Sequence, residues 1–380
     1  MSSPVLFDIQ PCENNKFIGI ATLNKQDALN AIDLEMVNLL LLQLQAWQQN
    51  DEIAVVMIDS RGDKAFCAGG DVVAMYRAMS ESAGDRAKGH QQSNITIPNL
   101  LETFFSQEYR LDYLIHTFTK PILLWGNGII MGGGLGLMAG ASHRIVTESS
   151  RIAMPEASIG LYPDVGGSWF LNKMPAGVGR FLGITGASID CHDAIYANLA
   201  DHIIDHADKL DLLRKMKSVS WTQSHQQNAD LLHNLCKQFS QAEREGNLQN
   251  HREMLADIDK NENVSTYIEA LQNIDSTGDK WLKKAQSSLT YSSPITMHLV
   301  FEQLRRGREL SLAECFKMEL IMSCRCATYG EFQEGVRALL IDKDRNPNWA
   351  FSSTSDVDKQ TIEQFFESPW AQNAHPLRDL

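Results

Sequence analysis

The feature that most restricts the fold is an uncharged stretch over residues 121–142. Its length alone would let a helix cross a bilayer. The stretch contains seven glycines, among them Gly132, Gly133 and Gly134, and glycine weakens helices and favours turns. It divides instead into an apolar strand at 122–125, a glycine-rich turn and a close-packed helix at 132–140. The pattern therefore predicts a buried strand-turn-helix unit rather than a membrane span.

Similar units recur along residues 1–205. They comprise a strand at 17–23, a helix that Asp33 can cap, a strand at 54–58, a helical stretch over 97–118 and a strand at 144–147. Strand-turn-helix units in series predict a layered α/β fold. We divide the chain into this core at 1–205, a polar helical region at 206–285 and a C-terminal helical region at 286–380.

The chain of 380 residues is acidic, since 34 Lys and Arg against 47 Asp and Glu give a net charge of −13. Nucleic-acid binding needs a concentrated basic face, so we expect no nucleic-acid partner. The first residues show no basic, apolar or Arg-rich targeting pattern, and we expect a cytoplasmic protein. Seven scattered cysteines predict reduced, buried thiols rather than a disulfide framework.

Two glycine-rich turns each lie between a strand and a helix, at residues 64–71 (KAFCAGGD) and 131–136 (MGGGLG). Such turns leave backbone N–H groups unpaired, which suits an anion or a developing oxyanion. Neither turn matches a nucleotide-binding fingerprint. Glycine also serves close packing alone, but two such turns in one domain favour a site with two donors.

A third segment, at residues 153–167 (AMPEASIGLYPDVGG), carries two acids eight positions apart. Glu156 and Asp164 have apolar neighbours, and burial of a carboxylate raises its pKa toward the range useful for acid–base chemistry. The alternative is structural: each acid caps a helix or pairs with Arg151 or Arg180. Glu108 is a lone acid on a helical face, and spacing alone places it in solvent. No G-x-S-x-G motif indicates a serine hydrolase.

These three segments, together with residues 21–32 (ATLNKQDALNAI), resemble the crotonase (enoyl-CoA hydratase/isomerase) superfamily. The resemblance implies a spiral core of repeated β-β-α units and a CoA thioester ligand. It also implies an oxyanion hole from backbone N–H groups of Gly133 and of Ala68, or its neighbour Gly70.

Within the superfamily, the details indicate one branch. Hydratases carry a catalytic glutamate just after the glycine turn, and Gly136 stands at that place here. Residues 153–167, Glu108 with Tyr109, and residues 330–349 resemble the 3-hydroxyisobutyryl-CoA hydrolases, a branch that hydrolyses its thioester in valine catabolism. The likeness implies that Glu156 acts as nucleophile or as base on water. Asp164 would orient the 3-hydroxyl or assist the water, and Glu108 would line the acyl pocket.

The resemblance implies no metal and no cofactor beyond the CoA of the substrate. We expect an acyl-CoA partner and no membrane partner. Whether the chain forms a homo-oligomer stays open. Two alternatives remain: an enoyl-CoA isomerase or hydratase of the same superfamily, and a non-catalytic acyl-CoA-binding protein. The sequence does not decide which cations bind the CoA phosphates; the candidates are Lys64, Lys120, the lysines at 283–284 and the arginines at 305–306.

Overall fold

The computed structural model describes residues 3–87 and 97–380, with side chains of the first segment described to residue 82. Its strands are β1 (Val5–Pro11), β2 (Phe17–Leu23), β3 (Ile53–Ser60), β4 (Ala65–Cys67), β5 (Ile122–Gly126), β6 (Ile129–Met131), β7 (His143–Val146), β8 (Arg151–Ala153) and β9 (His202–Ile203). The first helices are α1 (Leu34–Gln49), α2 (Val72–Ala87), α3 (Asn99–His116), α4 (Gly133–Gly140), α5 (Gly167–Phe170), α6 (Val178–Thr185) and α7 (Cys191–Tyr196). The later helices are α8 (Lys209–Lys217), α9 (His225–Phe239), α10 (Asn247–Asn250), α11 (Arg252–Ile258), α12 (Val264–Gln272), α13 (Lys280–Ser288), α14 (Pro294–Gly307), α15 (Leu312–Tyr329), α16 (Glu331–Val336) and α17 (Lys359–Gln364).

The expected α/β fold is confirmed. A six-stranded sheet has the order β1-β2-β3-β5-β7-β9, and a smaller sheet has the order β4-β6-β8. In the larger sheet β1 and β2 are antiparallel, whereas the pairs from β2 to β9 are parallel. Strand β3 is buried along its whole length, as a parallel strand covered on both faces should be.

The predicted start of the first helix is confirmed at Asp33. Its side chain accepts a hydrogen bond from the backbone N–H of Met36 at 2.9 Å and so satisfies one free donor of α1. The uncharged stretch over 121–142 forms β5, β6 and α4. Within residues 3–87 and 97–380, no helix is both long and apolar enough to cross a bilayer. All seven cysteines are buried free thiols, as expected.

The chain forms two compact units built from interleaved segments. Unit 1 comprises Met1–Gly70, Arg110–Ile152 and Ser188–Asn250, and unit 2 comprises Asp71–Tyr109, Ala153–Ala187 and His251–Leu380. An apolar cluster in unit 1 joins the larger sheet to α8 and α9, with Trp125, Leu212 and Leu232 among its members. The division of the sequence at 205 and 285 concerns consecutive segments and stays a prediction.

One buried group in unit 1 couples folding to pH. His202 on β9 is 5% exposed. Its ring is tilted by 50° against that of His233, with the centroids 4.9 Å apart, and its Nδ1 lies 2.8 Å from the hydroxyl oxygen of Ser240. Burial, followed by the nearby His233, lowers the pKa of His202 to about 4. Since the unfolded chain takes up this proton near 6.5, stability is lost as the pH falls from about 6.5 toward 4.

We therefore expect the His202→Gln variant to lose less stability than wild type between pH 7 and pH 4, by roughly 3 kcal/mol for a shift of this size. Urea unfolding at a series of pH values measures the difference. The exposed His225 on α9 provides the matched control, His225→Gln. Parallel stability curves for wild type and His202→Gln would contradict the assignment.

Candidate active site

The two glycine-rich turns of unit 1 are neighbours. Strand β4 pairs with β6 in parallel, so the turns that follow these strands leave the same edge of the small sheet. A Cβ atom added to Gly69 would lie 3.6 Å from the carbonyl oxygen of Met131 and 4.0 Å from the Cα of Gly132. A Cβ atom on Gly134 would lie 2.6 Å from the Cys67 carbonyl oxygen, so only glycine fits there.

The turns present two backbone donors. Gly133 is the first residue of α4, whose first N–H groups have no partner within the helix. Among the described residues, the N–H groups of Gly133 and Gly70 have no acceptor within hydrogen-bond distance. The N–H of Ala68, in contrast, donates to the carbonyl of Leu29 at 3.1 Å. The first turn therefore offers Gly70 rather than Ala68 as a free donor.

In unit 2, Glu156 opens a short 3₁₀ helix, Glu156–Ile159. The residue is 5% exposed, and its Oε2 is buried without a hydrogen-bond partner. Burial, followed by the charge of Asp164, raises the pKa of Glu156 well above its usual range. A buried carboxylate oxygen without a partner is costly, so this group is not explained by a contribution to stability.

Asp164 lies in a turn with a strained backbone. The hydroxyl of Tyr109 donates to its Oδ2 at 2.7 Å, and burial raises the pKa of Asp164 to about 6, with this hydrogen bond opposing the rise. The next residue, Val165, has a φ of 52°, a region that β-branched residues rarely adopt. Strain of this kind persists only where the surroundings impose it, and it is often found at functional sites.

The side chain of Glu319 on α15 supports that turn. Its two carboxylate oxygens accept hydrogen bonds from the backbone N–H groups of Gly166 and Ser168, each at 2.8 Å. Burial raises the pKa of Glu319 to about 8, and these donors oppose the rise. Glu319 thus fixes the backbone directly after Asp164 and Val165.

The expectation that Glu108 lies in solvent is wrong. It is 3% exposed, because it continues the buried stripe of α3 formed by Leu101, Phe104 and Phe105 at helical spacing. Burial, then the charges of Asp164 and Glu156, raises the pKa of Glu108 well above its usual range. Unit 2 therefore holds an acid cluster of Glu108, Glu156 and Asp164.

The ion-pair interpretation of the two loop acids is also wrong. Arg180 pairs with Asp259 at 3.0 Å, and Arg151 donates to the carbonyl of Ser150 at 2.6 Å. In the part of the chain that the structure describes, neither Glu156 nor Asp164 has a cationic partner within 4.0 Å. A cluster of buried acids without a cation has proton affinities suited to acid–base chemistry.

Several polar residues of the site escape sequence reasoning. Ser323 and the carbonyl of Glu319 on α15 contact the hydroxyls of Tyr109 and Tyr162. The available signal is that Glu319 and Ser323, four residues apart, share the buried face of α15 with Phe316. Among the candidate cations, Lys120 is buried and donates to the carbonyls of Trp47 and Asn50, so it has a structural role.

Comparison with known proteins shows the family of this chain. The family model described as enoyl-CoA hydratase/isomerase matches residues 18–366. The chain belongs to that family. Among its curated relatives is "3-hydroxyisobutyryl-CoA hydrolase, mitochondrial" of Gallus gallus, 35% identical over 92% of this chain and 86% of that protein. The protein of the same name from Danio rerio is 36% identical over 92% of this chain and 87% of its own length.

A solved structure shows the family fold directly. The crystal structure of an enoyl-CoA hydratase from Rhodobacter sphaeroides 2.4.1 is 31% identical and superposes with a TM-score of 0.80. The match covers 96% of this chain and 98% of that one. The crotonase fold expected from the resemblance is confirmed along nearly the whole length.

The burial of Glu156 should lower the free energy of unfolding at high pH. Because its folded-state pKa is raised, the cost of the ionised form is present above that pKa and disappears as the pH falls and the group protonates. We expect Glu156→Gln, which keeps the shape and removes the charge, to raise the free energy of unfolding at pH 8 by about 1–3 kcal/mol.

Urea unfolding at pH 8 and at pH 5 tests this, and the gain should be smaller at pH 5. Glu253→Gln on α11, where the side chain is 92% exposed, is the matched control. A Glu156→Gln protein that is less stable than wild type at pH 8 would show that the ionised carboxylate has a stabilising partner.

Proposed function

We propose that this chain hydrolyses the thioester of a short-chain 3-hydroxyacyl-CoA, with 3-hydroxyisobutyryl-CoA as the substrate. The products are 3-hydroxyisobutyrate and CoA. The observation that carries the proposal is the buried carboxylate of Glu156, whose Oε2 has no partner in the described residues. The names of the two curated relatives, each matching 92% of this chain, support the same substrate.

The donors of the oxyanion hole are the N–H groups of Gly70 and Gly133, which have no acceptor of their own among the described residues. They bind the thioester oxygen as it gains negative charge. Loss of one such donor typically lowers kcat by about 10²–10³-fold. Ala68, the other candidate of the first turn, has its N–H engaged with Leu29.

Glu156 acts at the carbonyl carbon in one of two ways. As nucleophile it forms a mixed anhydride and expels the CoA thiolate, and water then cleaves the anhydride. As base it takes a proton from water, whose oxygen attacks the carbon directly. Both courses place the water oxygen on the acyl group and one proton on the CoA sulfur, and CoA enters only as part of the substrate.

Asp164 and Glu108 act on the acyl group. Asp164, with a pKa of about 6, is an acceptor at neutral pH for the hydrogen bond of the substrate 3-hydroxyl. Glu108, whose pKa is raised well above its usual range by burial, lines the acyl pocket.

A second candidate is hydration of an enoyl-CoA, which the name of the solved structure from Rhodobacter sphaeroides favours. Against it, Gly136 stands where the resemblance expects the second glutamate of a hydratase. The acid at position 164 also disfavours an isomerase, whose pocket for an unsaturated chain should be apolar. A cytoplasmic location stays a prediction.

Release of free CoA tests the activity. We expect wild type to release CoA from 3-hydroxyisobutyryl-CoA and 3-hydroxypropionyl-CoA, and Glu156→Gln to be inactive with both. Crotonyl-CoA and a 3-enoyl-CoA serve as comparison substrates, with Glu253→Gln as the matched variant. A Glu156-dependent absorbance change with crotonyl-CoA and no CoA release from any ester would instead establish a hydratase or isomerase.

The role of Asp164 predicts a change in substrate preference. We expect Asp164→Leu, which removes the acceptor, to reduce the preference for 3-hydroxyisobutyryl-CoA over isobutyryl-CoA by about 10-fold or more, as loss of a charged hydrogen bond does. Asp164→Asn keeps a neutral acceptor and should give an intermediate ratio of kcat/KM. An equal loss of kcat/KM with both esters would assign Asp164 to the water instead.

A further inference from the structure

Three buried hydroxyls connect Asp164 to the backbone of α15. The hydroxyl oxygen of Tyr109 lies 2.7 Å from Asp164 Oδ2 and 2.6 Å from Ser323 Oγ. Ser323 Oγ lies 2.9 Å from the hydroxyl oxygen of Tyr162, which lies 2.6 Å from the carbonyl oxygen of Glu319. We call Tyr109, Ser323 and Tyr162 the hydroxyl chain; each is fully buried.

The hydroxyl chain has acceptors at both ends when Asp164 is ionised. Four contacts then share three protons, because each hydroxyl supplies one. If Tyr109 donates to Asp164 and Ser323 donates to Tyr109, the proton of Tyr162 goes to the Glu319 carbonyl. The contact between Ser323 and Tyr162 is left without a proton, and two buried oxygens face each other there.

Protonation of Asp164 supplies the missing proton. Asp164 then donates to Tyr109, Tyr109 to Ser323, Ser323 to Tyr162, and Tyr162 to the carbonyl of Glu319. All four contacts become hydrogen bonds that run in one direction. Uptake of one proton from solvent therefore reverses two hydroxyls, those of Tyr109 and Ser323, without moving a heavy atom.

We propose that the hydroxyl chain sets the pH at which Asp164 becomes an acceptor for the substrate, with Tyr109 and Ser323 as positioning residues of opposite effect. Tyr109 favours the ionised acid, because its O–H is the side-chain donor to Oδ2. Ser323 favours the protonated acid, because it joins the two halves into a chain that needs the fourth proton. This inference rests on the proposed role of Asp164 in the hydrolase.

Among the described residues of unit 2, no cation lies within 4.0 Å of Asp164 to stabilise its ionised form in place of the hydroxyl chain. The charged or titratable groups that face it are Glu108 and Tyr109 of α3, Glu156 of the 3₁₀ helix, Tyr162 of its own segment, and Glu319 and Cys326 of α15. Every one is an acid. In the described part of unit 2, a donor hydroxyl is thus the available means of stabilising ionised Asp164 beyond its own backbone.

Removal of single hydroxyls separates the two effects. In Tyr109→Phe the ionised acid loses its donor, so Asp164 should ionise at a higher pH. In Ser323→Ala the two remaining contacts, Tyr109 to Asp164 and Tyr162 to Glu319, are both satisfied with Asp164 ionised. The spare proton of the acid form then has no acceptor, so Asp164 should ionise at a lower pH.

The test is the pH dependence of one ratio, kcat/KM for 3-hydroxyisobutyryl-CoA over that for isobutyryl-CoA, because the ratio cancels groups that act equally on both esters. We expect the midpoint to rise by about one pH unit in Tyr109→Phe and to fall by a similar amount in Ser323→Ala. Ser106→Ala is the matched control, since this buried serine of α3 bonds the carbonyl of Thr103 outside the chain. Its midpoint should equal that of wild type.

A direct titration of Asp164 makes the test independent of the reaction. Carbon-13 NMR of aspartate-labelled protein, with the Asp164 signal identified by its absence in Asp164→Asn, should give the same two opposite shifts. Midpoints that move in one direction in both variants, or that stay unchanged, would overturn the inference. If wild type releases no CoA from either ester, the proposed function fails, and the NMR midpoints alone decide the inference.

Discussion

The site in unit 2 depends on two hydrogen bonds, which the backbone N–H groups of Gly166 and Ser168 donate to the side-chain oxygens of Glu319. Such a hydrogen bond contributes about 0.5–1.5 kcal/mol to a neutral acceptor and about 1.5–3 kcal/mol to an ionised one, and the pKa of Glu319 is about 8. That is comparable with the roughly 1–3 kcal/mol that the left-handed conformation of Val165 costs. The hydrogen bonds to Glu319 thus offset the strain of the turn, and the turn positions the neighbouring Asp164.

The acid cluster shows how such a site differs from a structural ion-pair network. Burial raises the pKa of Glu108, Glu156 and Asp164, and the charge of Asp164 adds to the rise at Glu108 and at Glu156. Half-buried ion pairs do occur elsewhere in the chain: Arg180 pairs with Asp259 at 3.0 Å, and Lys209 pairs with Asp59 at 2.7 Å. Apolar packing must offset the cost of the unpaired acids, and the fully buried Phe105 lies on α3 with Glu108.

Local patterns allowed much of the fold to be predicted. Strand β2 has the predicted bounds, Asp33 caps α1, and the glycine turns follow β4 and β6, because alternation, capping and turn chemistry act over a few residues. The prediction for Glu108 was wrong because a charged residue is usually exposed, whereas its spacing from Leu101, Phe104 and Phe105 places it on the buried face of α3. The hydroxyl chain lay beyond reach, since Tyr109 and Ser323 are 214 residues apart.

Gly166 and the Glu319 side chain that binds it lie far apart in the sequence, and this has a consequence for synthesis of the chain. The two residues are 153 positions apart. At about 5–20 residues per second, the ribosome therefore adds Glu319 roughly 8–30 seconds after Gly166. A nascent chain in that interval carries the acids of the loop but not the helix that orders them. The turn that follows Asp164 therefore gains the side-chain acceptor of its two N–H groups only after α15 has been synthesised, so folding of the loop waits for the C-terminal part of the chain.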